Sequence, residues 1–163
     1  MTGLKEYETI GRERETLSSR EIEELLTPLQ DWRKEEEMES GTLHRVTYTP
    51  PKIGQWKYLD RGAHGLVFVD DIKGLACKLL YNPSEASDVQ KRYDKLKGSL
   101  RLATLRYADN GCVVTDFQYG KQITDPNVLS EMIRIAEKTG VRLDHGKFNV
   151  FEGTDGYPTL VDY

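Results

Sequence analysis

The sequence of 163 residues predicts an α+β fold. Apolar and polar residues alternate between residues 56 and 80 and again between 103 and 117, which is the period of half-buried strands. One helical pattern separates these two regions and another follows them. The predicted order is therefore three strands, a helix, two strands, a second helix and a last pair of short strands.

Length and composition fit a single domain, or one small two-lobed domain, with a core of its own. Apolar runs stay far below the roughly 20 residues that span a bilayer, and the first residues contain no apolar signal segment. We therefore expect a cytoplasmic protein without membrane insertion. Cys77 and Cys112 are too far apart for a CxxC motif, so we expect both to be buried as small hydrophobic residues.

Acidic charge is concentrated near the N-terminus. Residues 1–41 hold 6 Lys and Arg against 12 Asp and Glu, whereas residues 42–163 hold 17 against 15. The second part lacks a dense basic run with interleaved aromatic residues, so we expect no nucleic-acid binding. We interpret residues 1–50 as an acidic helical extension and residues 51–163 as the main domain.

The extension is predicted to contain two short helices between residues 18 and 39. Ser18 and Glu21 fit a capping box for the first helix. Thr27 followed by Pro28 fits the start of a second one, because proline is favoured in a first helical turn. An apolar stripe at helical spacing must pack on another part of the protein: Ile22, Leu25, Leu26, Leu29 and Trp32.

The strands and helices of the main domain are delimited by turn residues. A turn at residues 71–74 joins the second and third strands into an antiparallel hairpin. A helix follows over residues 84–100. Asn110-Gly111 is a strong hairpin signal between the fourth and fifth strands, because a type I′ turn needs positive φ at both positions.

The last third of the chain is predicted to hold one helix and one hairpin. Asp125 and Pro126 start the helix, which has a broad apolar face, and Gly140 suits the left-handed position after its end. Two short strands, at residues 149–152 and 158–163, are separated by the turn GTDG.

RGAHGLVF, between the first two strands, contains the first candidate site. Gly62 and Gly65 would let a guest such as a phosphate approach the backbone closely. The alternative is an ordinary turn with two glycines. The second candidate is Lys78, because Ala76 and Leu80 share its strand face and make that face partly apolar. A cation there would meet a carboxylate or a phosphate, or the lysine is simply exposed at an edge.

Carboxylate and amide side chains form the third and fourth candidate sites. Asp144 and Asn149 stand five positions apart, and Asp162 closes an apolar strand near the end. Oxygen ligands of this kind suit Mg²⁺. Taken separately, each pair is also common in ordinary polar turns.

The order of these four features resembles the eukaryotic-type protein kinase fold, its short bacterial and phage-like relatives, and the related small-molecule phosphotransferases. The resemblance covers residues from about Trp56 to the end. LDRGAHGLV is similar to the family's glycine-rich hairpin at Gly62, Gly65 and Val67, with Asp60 in place of the first glycine.

The other motifs follow in the family's order. Lys78 in LACKL corresponds to the lysine of the third strand, and LDHGKFN supplies Asp144 and Asn149 at the spacing of a catalytic loop. VDY places Asp162 where the DFG motif has its aspartate. VVTDFQYG resembles the strand and hinge that meet adenine, and its residues there are Thr115 as gatekeeper, then Asp116 and Gln118.

The resemblance implies a two-lobed architecture. A five-stranded antiparallel sheet with one helix would form an N-lobe over about residues 51–117, and a hinge would follow over about 116–121. The reduced C-lobe, about residues 122–163, would consist of one main helix and the catalytic-loop hairpin.

The resemblance also implies ATP- and Mg²⁺-dependent phosphate transfer. Asp144 would act as catalytic base, Lys78 would bind the phosphates, and Asn149 with Asp162 would bind Mg²⁺. The favoured interpretation is a minimal Ser/Thr protein kinase, similar to short kinases that bacteria deliver into host cells. The alternatives are a pseudokinase that binds nucleotide and a partner protein without transfer, and a small-molecule phosphotransferase.

The sequence departs from the family at several points. Arg142-Leu143 replaces the histidine and arginine before the catalytic aspartate. The first helix of the main domain offers no obvious glutamate for Lys78, so we expect Asp94 to be the partner, with Asp88 and Glu85 as alternatives. Since the sequence ends one residue after Asp162, we expect either a minimal kinase without an activation loop or a fragment. The acceptor and the oligomeric state stay open.

Overall fold

The computed structural model describes residues 17–117, 120–143, 148–153 and 155–163. Within these ranges the chain forms three α-helices, a short 3-10 turn and seven strands. In chain order the elements are α1 (Ser19–Ser40), the 3-10 turn (Leu43–Arg45), β1 (Lys57–Arg61), β2 (Gly65–Asp70), β3 (Leu75–Leu80), α2 (Glu85–Leu96), β4 (Leu105–Asp109), β5 (Cys112–Asp116), α3 (Pro126–Lys138), β6 (Val150–Glu152) and β7 (Pro158–Leu160).

Strands β1 to β5 form one antiparallel sheet in the order β1-β2-β3-β5-β4. Strand β3 is central, and α2 connects it to β4 at the far edge. Strands β6 and β7 pair as a second, two-stranded sheet. The predicted α+β class and the five-stranded antiparallel sheet are confirmed.

The turn between β4 and β5 has the predicted geometry. Asn110 has φ +49° and Gly111 has φ +74°, the left-handed values that a type I′ hairpin requires at both positions. The hairpin prediction from the Asn-Gly pair is therefore confirmed.

The prediction of two helices in the extension is wrong, because α1 is one continuous helix with Pro28 inside it. The capping box at Ser18 and Glu21 is present, but the Thr27 hydroxyl donates to the Glu23 carbonyl instead of starting a new helix. Apolar residues on both sides of Pro28 pack into the same core, so burial compensates for the hydrogen bond that proline cannot make.

The main core lies between α1 and one face of the sheet. It joins buried residues of the helix to buried residues of β2, β3 and β5: Ile22, Leu26, Leu29, Leu66, Phe68, Cys77, Leu79, Cys112 and Val114. The extension and the sheet therefore share one hydrophobic core. The two cysteines are free and buried, as expected, and burial raises the pKa of the Cys77 thiol well above its usual range.

Arg33 of α1 is buried where the helix crosses the end of the sheet, at 7% exposure. Its guanidinium donates to the Gly111 carbonyl at 3.1 Å and also to the Leu80 carbonyl, and it pairs with Glu37 at 2.8 Å. Gly111 leaves room for this contact, since a Cβ there would lie 2.6 Å from the guanidinium. Arg33 thus fastens the helix to the ends of β3 and β5.

A second core lies beneath α3 and holds the β6–β7 hairpin in place. Its buried members come from α2, α3, the segment that follows α3 and the hairpin: Leu96, Met132, Ala136, Val141, Leu143, Val150 and Leu160. Asp125 caps α3 by accepting from the Asn127 amide, and Gly140 has φ +89°, as predicted. In the part of the chain described here, no helix is both long and apolar enough to cross a membrane.

Candidate functional site

A pocket of about 360 Å³ lies between the five-stranded sheet and the β6–β7 hairpin. Small-molecule sites are typically of this size or larger. Six of the residues singled out from the sequence line it: Gly62, Val67, Lys78, Thr115, Asn149 and Asp162. The fold therefore brings together side chains from β2, β3, β5 and the two ends of the hairpin.

Lys78 and Asp162 form an ion pair inside this pocket. The Lys78 Nζ donates to the Asp162 Oδ1 at 2.7 Å, and the two side chains are 21% and 35% exposed. Lys78 is held on the central strand, opposite Val67 of β2 and Val113 of β5. The backbone of Lys78 is therefore fixed by strands on both sides. The contact with Asp162 agrees with one of the two interpretations from the sequence, that Lys78 meets an anion.

The predicted pairing of Lys78 with Asp94 is wrong. Asp94 pairs with Lys97 at 3.2 Å on the exposed surface of α2, and Glu85 lies 3.2 Å from the His64 Nδ1. The helical position of Asp94 turns its carboxylate away from the sheet. Among the described residues, the carboxylate that pairs with Lys78 is that of Asp162.

Asn149 and Asp162 are brought close by the hairpin. The Val161 amide donates to the Asn149 carbonyl at 3.0 Å, which extends the β6–β7 pairing by one step. The Asn149 Oδ1 also accepts from the Gln122 Nε2 at 3.2 Å. An amide and a carboxylate oxygen lining one pocket are the kind of ligands that Mg²⁺ takes, and Mg²⁺ needs few protein ligands. The described residues contain no cluster of three or more His, Cys, Asp or Glu that would suit a metal.

Gly62 and Gly65 differ in whether the surrounding atoms leave room for a larger residue. A Cβ at Gly65 would lie 2.2 Å from the Leu79 carbonyl oxygen, so close strand packing requires glycine there. A Cβ at Gly62 would meet only the Gly65 oxygen, at 3.9 Å, and Gly62 lines the pocket. The protein's own packing therefore explains the glycine at position 65 and does not explain the one at position 62.

The predicted gatekeeper Thr115 lines the pocket, and the predicted hinge residue Asp116 does not. The Asp116 carboxylate lies 3.9 Å from the Arg106 Nε, with both side chains largely buried, and the Asp116 amide donates to the Thr104 carbonyl. Strand alternation turns Asp116 away and brings Phe117 to the pocket.

Two of the predicted site residues lie outside the described residues. They are Asp144, the predicted catalytic base, and Gln118, the predicted hinge residue. Their roles stay predictions from the sequence.

The pocket also contains apolar residues that the sequence reasoning did not single out as ligand contacts. Ala76 and Val113 lie two positions from Lys78 and Thr115, so strand alternation could have identified them. Phe151 follows Asn149 by two positions in the same way. No spacing pattern in the sequence indicated Tyr163, because its position depends on a distant contact. Its hydroxyl donates to the Ala103 carbonyl at 2.7 Å, across 60 positions of sequence.

Chemically, the pocket combines an apolar lining with a paired cation and anion. Apolar walls suit a flat aromatic group, and an ammonium group beside oxygen ligands suits phosphates with their counter-cation. The chain matches no family model, and no curated protein or solved structure is significantly similar to it.

Proposed function

We propose that the chain is an ATP- and Mg²⁺-dependent phosphotransferase with a protein kinase-like fold, acting as a minimal Ser/Thr protein kinase. The observation that carries this proposal is the 2.7 Å ion pair between Lys78 and Asp162. In the family that the sequence resembles, these two positions bind the nucleotide's phosphates and its Mg²⁺. A chance set of polar turns would rarely put both charges in one pocket.

The arrangement of the strands supports the same proposal. A five-stranded antiparallel sheet, with a helix connecting its third and fourth strands, lies above the pocket, and a short hairpin lies below it. The apolar face of the sheet formed by Ala76, Val113 and Phe117 would contact adenine, next to Thr115. The phosphates would then extend under Gly62 toward Lys78.

The transfer itself needs positioning and charge neutralisation more than covalent chemistry. The acceptor hydroxyl oxygen forms a bond to the γ-phosphorus while the bond to the β,γ-bridging oxygen breaks, and ADP leaves with that electron pair. We assign the acceptor's proton to Asp144. Lys78 neutralises phosphate oxygens, and Asn149 with Asp162 would hold Mg²⁺, which screens the remaining phosphate charge.

One observation favours a second candidate, a pseudokinase that binds nucleotide and a partner protein without transfer. Lys78 pairs with Asp162 and not with a carboxylate of α2, whereas kinases hold their lysine through a helix glutamate. Asp162 would then have to serve both Lys78 and the metal. A small-molecule phosphotransferase has no comparable observation in its favour.

Incubation with γ-labelled ATP and Mg²⁺, with and without dephosphorylated casein as acceptor, tests the proposal. We expect label on the chain or on casein, and no label with Asp144→Ala, whose melting temperature should match that of the wild type. Transfer that persists in Asp144→Ala would refute the catalytic assignment. A thermal shift with Mg²⁺·ATP but no transfer would favour the pseudokinase, and no shift at all would refute the nucleotide site.

A further inference from the structure

Tyr81 makes two hydrogen bonds to the glycine hairpin, the β1–β2 hairpin that contains Gly62 and Gly65 and lies above the pocket. The Tyr81 amide donates to the His64 carbonyl at 2.8 Å. Its hydroxyl donates to the Gly62 carbonyl at 3.4 Å, a long and therefore weak hydrogen bond. Both acceptors belong to the loop between β1 and β2, which is closed by a hydrogen bond from the Gly62 amide to the Gly65 carbonyl at 2.9 Å.

Tyr81 is in turn supported by the extension. The His44 ring lies against the Tyr81 ring, with centroids 4.3 Å apart and an interplanar angle of 74°, which is the edge-to-face arrangement that aromatic pairs prefer. His44 belongs to the 3-10 turn, and the flanking residues Leu43 and Val46 are each 1% exposed in the main core. The turn is therefore a fixed point.

The same turn also holds the other end of the hairpin. The Arg61 guanidinium, at the end of β1, donates to the Val46 carbonyl, and Arg61 lines the pocket together with Gly62. The loop tip is tied separately to α2 through His64 and Glu85. The glycine hairpin thus contacts the extension directly through Arg61 and indirectly through Tyr81, which packs on His44.

We infer that Tyr81, supported by His44, is a positioning residue that fixes the glycine hairpin for the phosphates of a bound nucleotide. The inference rests on the proposed function, and it gives the N-terminal extension a role beyond packing. A loop that is ordered before binding loses less conformational freedom when the ligand arrives. The effect should fall on the phosphates, because Tyr81 and His44 do not line the pocket where adenine would lie.

Two variants test this inference. Tyr81→Phe keeps the ring and removes the bond to Gly62, and His44→Ala removes the ring that supports Tyr81. Tyr48→Phe is the matched control. It removes a tyrosine hydroxyl, as Tyr81→Phe does, but at a residue that lies four positions after His44 and does not line the pocket. Each protein is titrated with Mg²⁺·ATP and with adenosine by calorimetry, and its melting temperature is recorded.

We expect His44→Ala to weaken Mg²⁺·ATP binding about threefold to tenfold and Tyr81→Phe about twofold to threefold, as the loss of one weak contact predicts. Adenosine binding should stay within about twofold of the wild type in both variants. Equal weakening of ATP and adenosine would overturn the inference, because it would indicate general damage to the pocket. Unchanged ATP binding in His44→Ala would overturn it as well.

Amide hydrogen exchange separates this inference from the proposed function. In protein without nucleotide, the amides of Gly62 and Tyr81 should exchange several-fold faster in His44→Ala than in wild type and Tyr48→Phe, because their acceptors lie in the loosened loop. Unchanged exchange would refute the positioning role even if nucleotide binds. Faster exchange in a protein that binds no nucleotide would refute the proposed function and leave the positioning of the hairpin standing.

Discussion

Lys78 and Asp162 are 84 positions apart in the sequence, yet their charged atoms lie 2.7 Å apart in the pocket. A second lysine–aspartate pair, Lys57 with Asp71, has the same 2.7 Å separation on the exposed surface of the sheet. The two pairs share chemistry and geometry, and they differ in location. Each pair therefore serves as the control for the other.

Removal of Lys78 should abolish the response to nucleotide with little loss of stability. We expect Lys78→Met and Lys57→Met each to lower the free energy of unfolding by at most about 1 kcal/mol, since partly exposed ion pairs contribute little. Thermal shift assays with Mg²⁺·ATP should show a shift in Lys57→Met and none in Lys78→Met. Equal shifts in the two variants would show that Lys78 does not contact the nucleotide.

The two glycines of the hairpin should respond differently to alanine. Gly65→Ala places a Cβ against the Leu79 carbonyl, so we expect a loss of about 1 to 3 kcal/mol in urea unfolding. Gly62→Ala meets no close atom, and its stability should stay within about 0.5 kcal/mol of the wild type. Its affinity for Mg²⁺·ATP should nevertheless fall. A Gly62→Ala variant that binds ATP as the wild type does would argue against phosphates under this loop.

Among the charged residues of α1, Arg33 should be the one whose replacement lowers the free energy of unfolding most. Arg33→Met loses a buried set of charged hydrogen bonds to Gly111, Leu80 and Glu37, and we expect about 3 kcal/mol of destabilisation. Arg20→Met is the control, because Arg20 pairs with Glu24 while 88% exposed and should change stability by less than about 0.5 kcal/mol. Similar urea midpoints for the two variants would contradict this role of Arg33.

Stability should fall at alkaline pH in part because of Tyr107. Burial, the largest cause, raises the pKa of Tyr107 above its ordinary value, although a hydrogen bond from Asn110 acts the other way. The folded protein thus keeps the phenol proton more tightly than the unfolded chain, whose tyrosines titrate near about 10. This contribution is complete below that pH and is lost as the pH rises through the folded-state pKa.

Urea unfolding between pH 8 and 11 measures this effect. Tyr107→Phe should lose stability less steeply above about pH 10 than the wild type. Tyr157→Phe is the control, since Tyr157 is 63% exposed. If Tyr107→Phe and wild type fall with the same slope, Tyr107 does not contribute to the alkaline transition.

Local signals in the sequence predicted most of the secondary structure. Asn110-Gly111 specifies its turn by backbone geometry alone, and the capping residues Ser18 and Asp125 act within a few positions. The break at Pro28 was the failure. The hydrogen bond that proline cannot make is a local cost, whereas the burial of Ile22 and Leu29 on either side of Pro28 depends on the sheet. The sequence of the helix alone does not contain this second contribution.

The candidate site was likewise only partly predictable from the sequence. For Lys78 the sequence left two interpretations, an anion that meets the cation on a partly apolar strand face or exposure at an edge. It did not identify Asp162 as that anion, since the partner depends on how the hairpin packs under the sheet. Arg33 gave no signal at all, because an arginine in an acidic helix normally faces solvent.

Strand β3 presents its residues alternately to the main core and to the pocket. Cys77 and Leu79 face α1, while Ala76 and Lys78 face the cavity. Because both sets of side chains belong to one strand, the packing against α1 also fixes the position of the Lys78 ammonium group in the pocket. A mild change in the core, such as Leu26→Val, should consequently alter ligand affinity in a protein that still unfolds cooperatively. Ligand affinity would then respond to the packing of the core more sensitively than the melting temperature does.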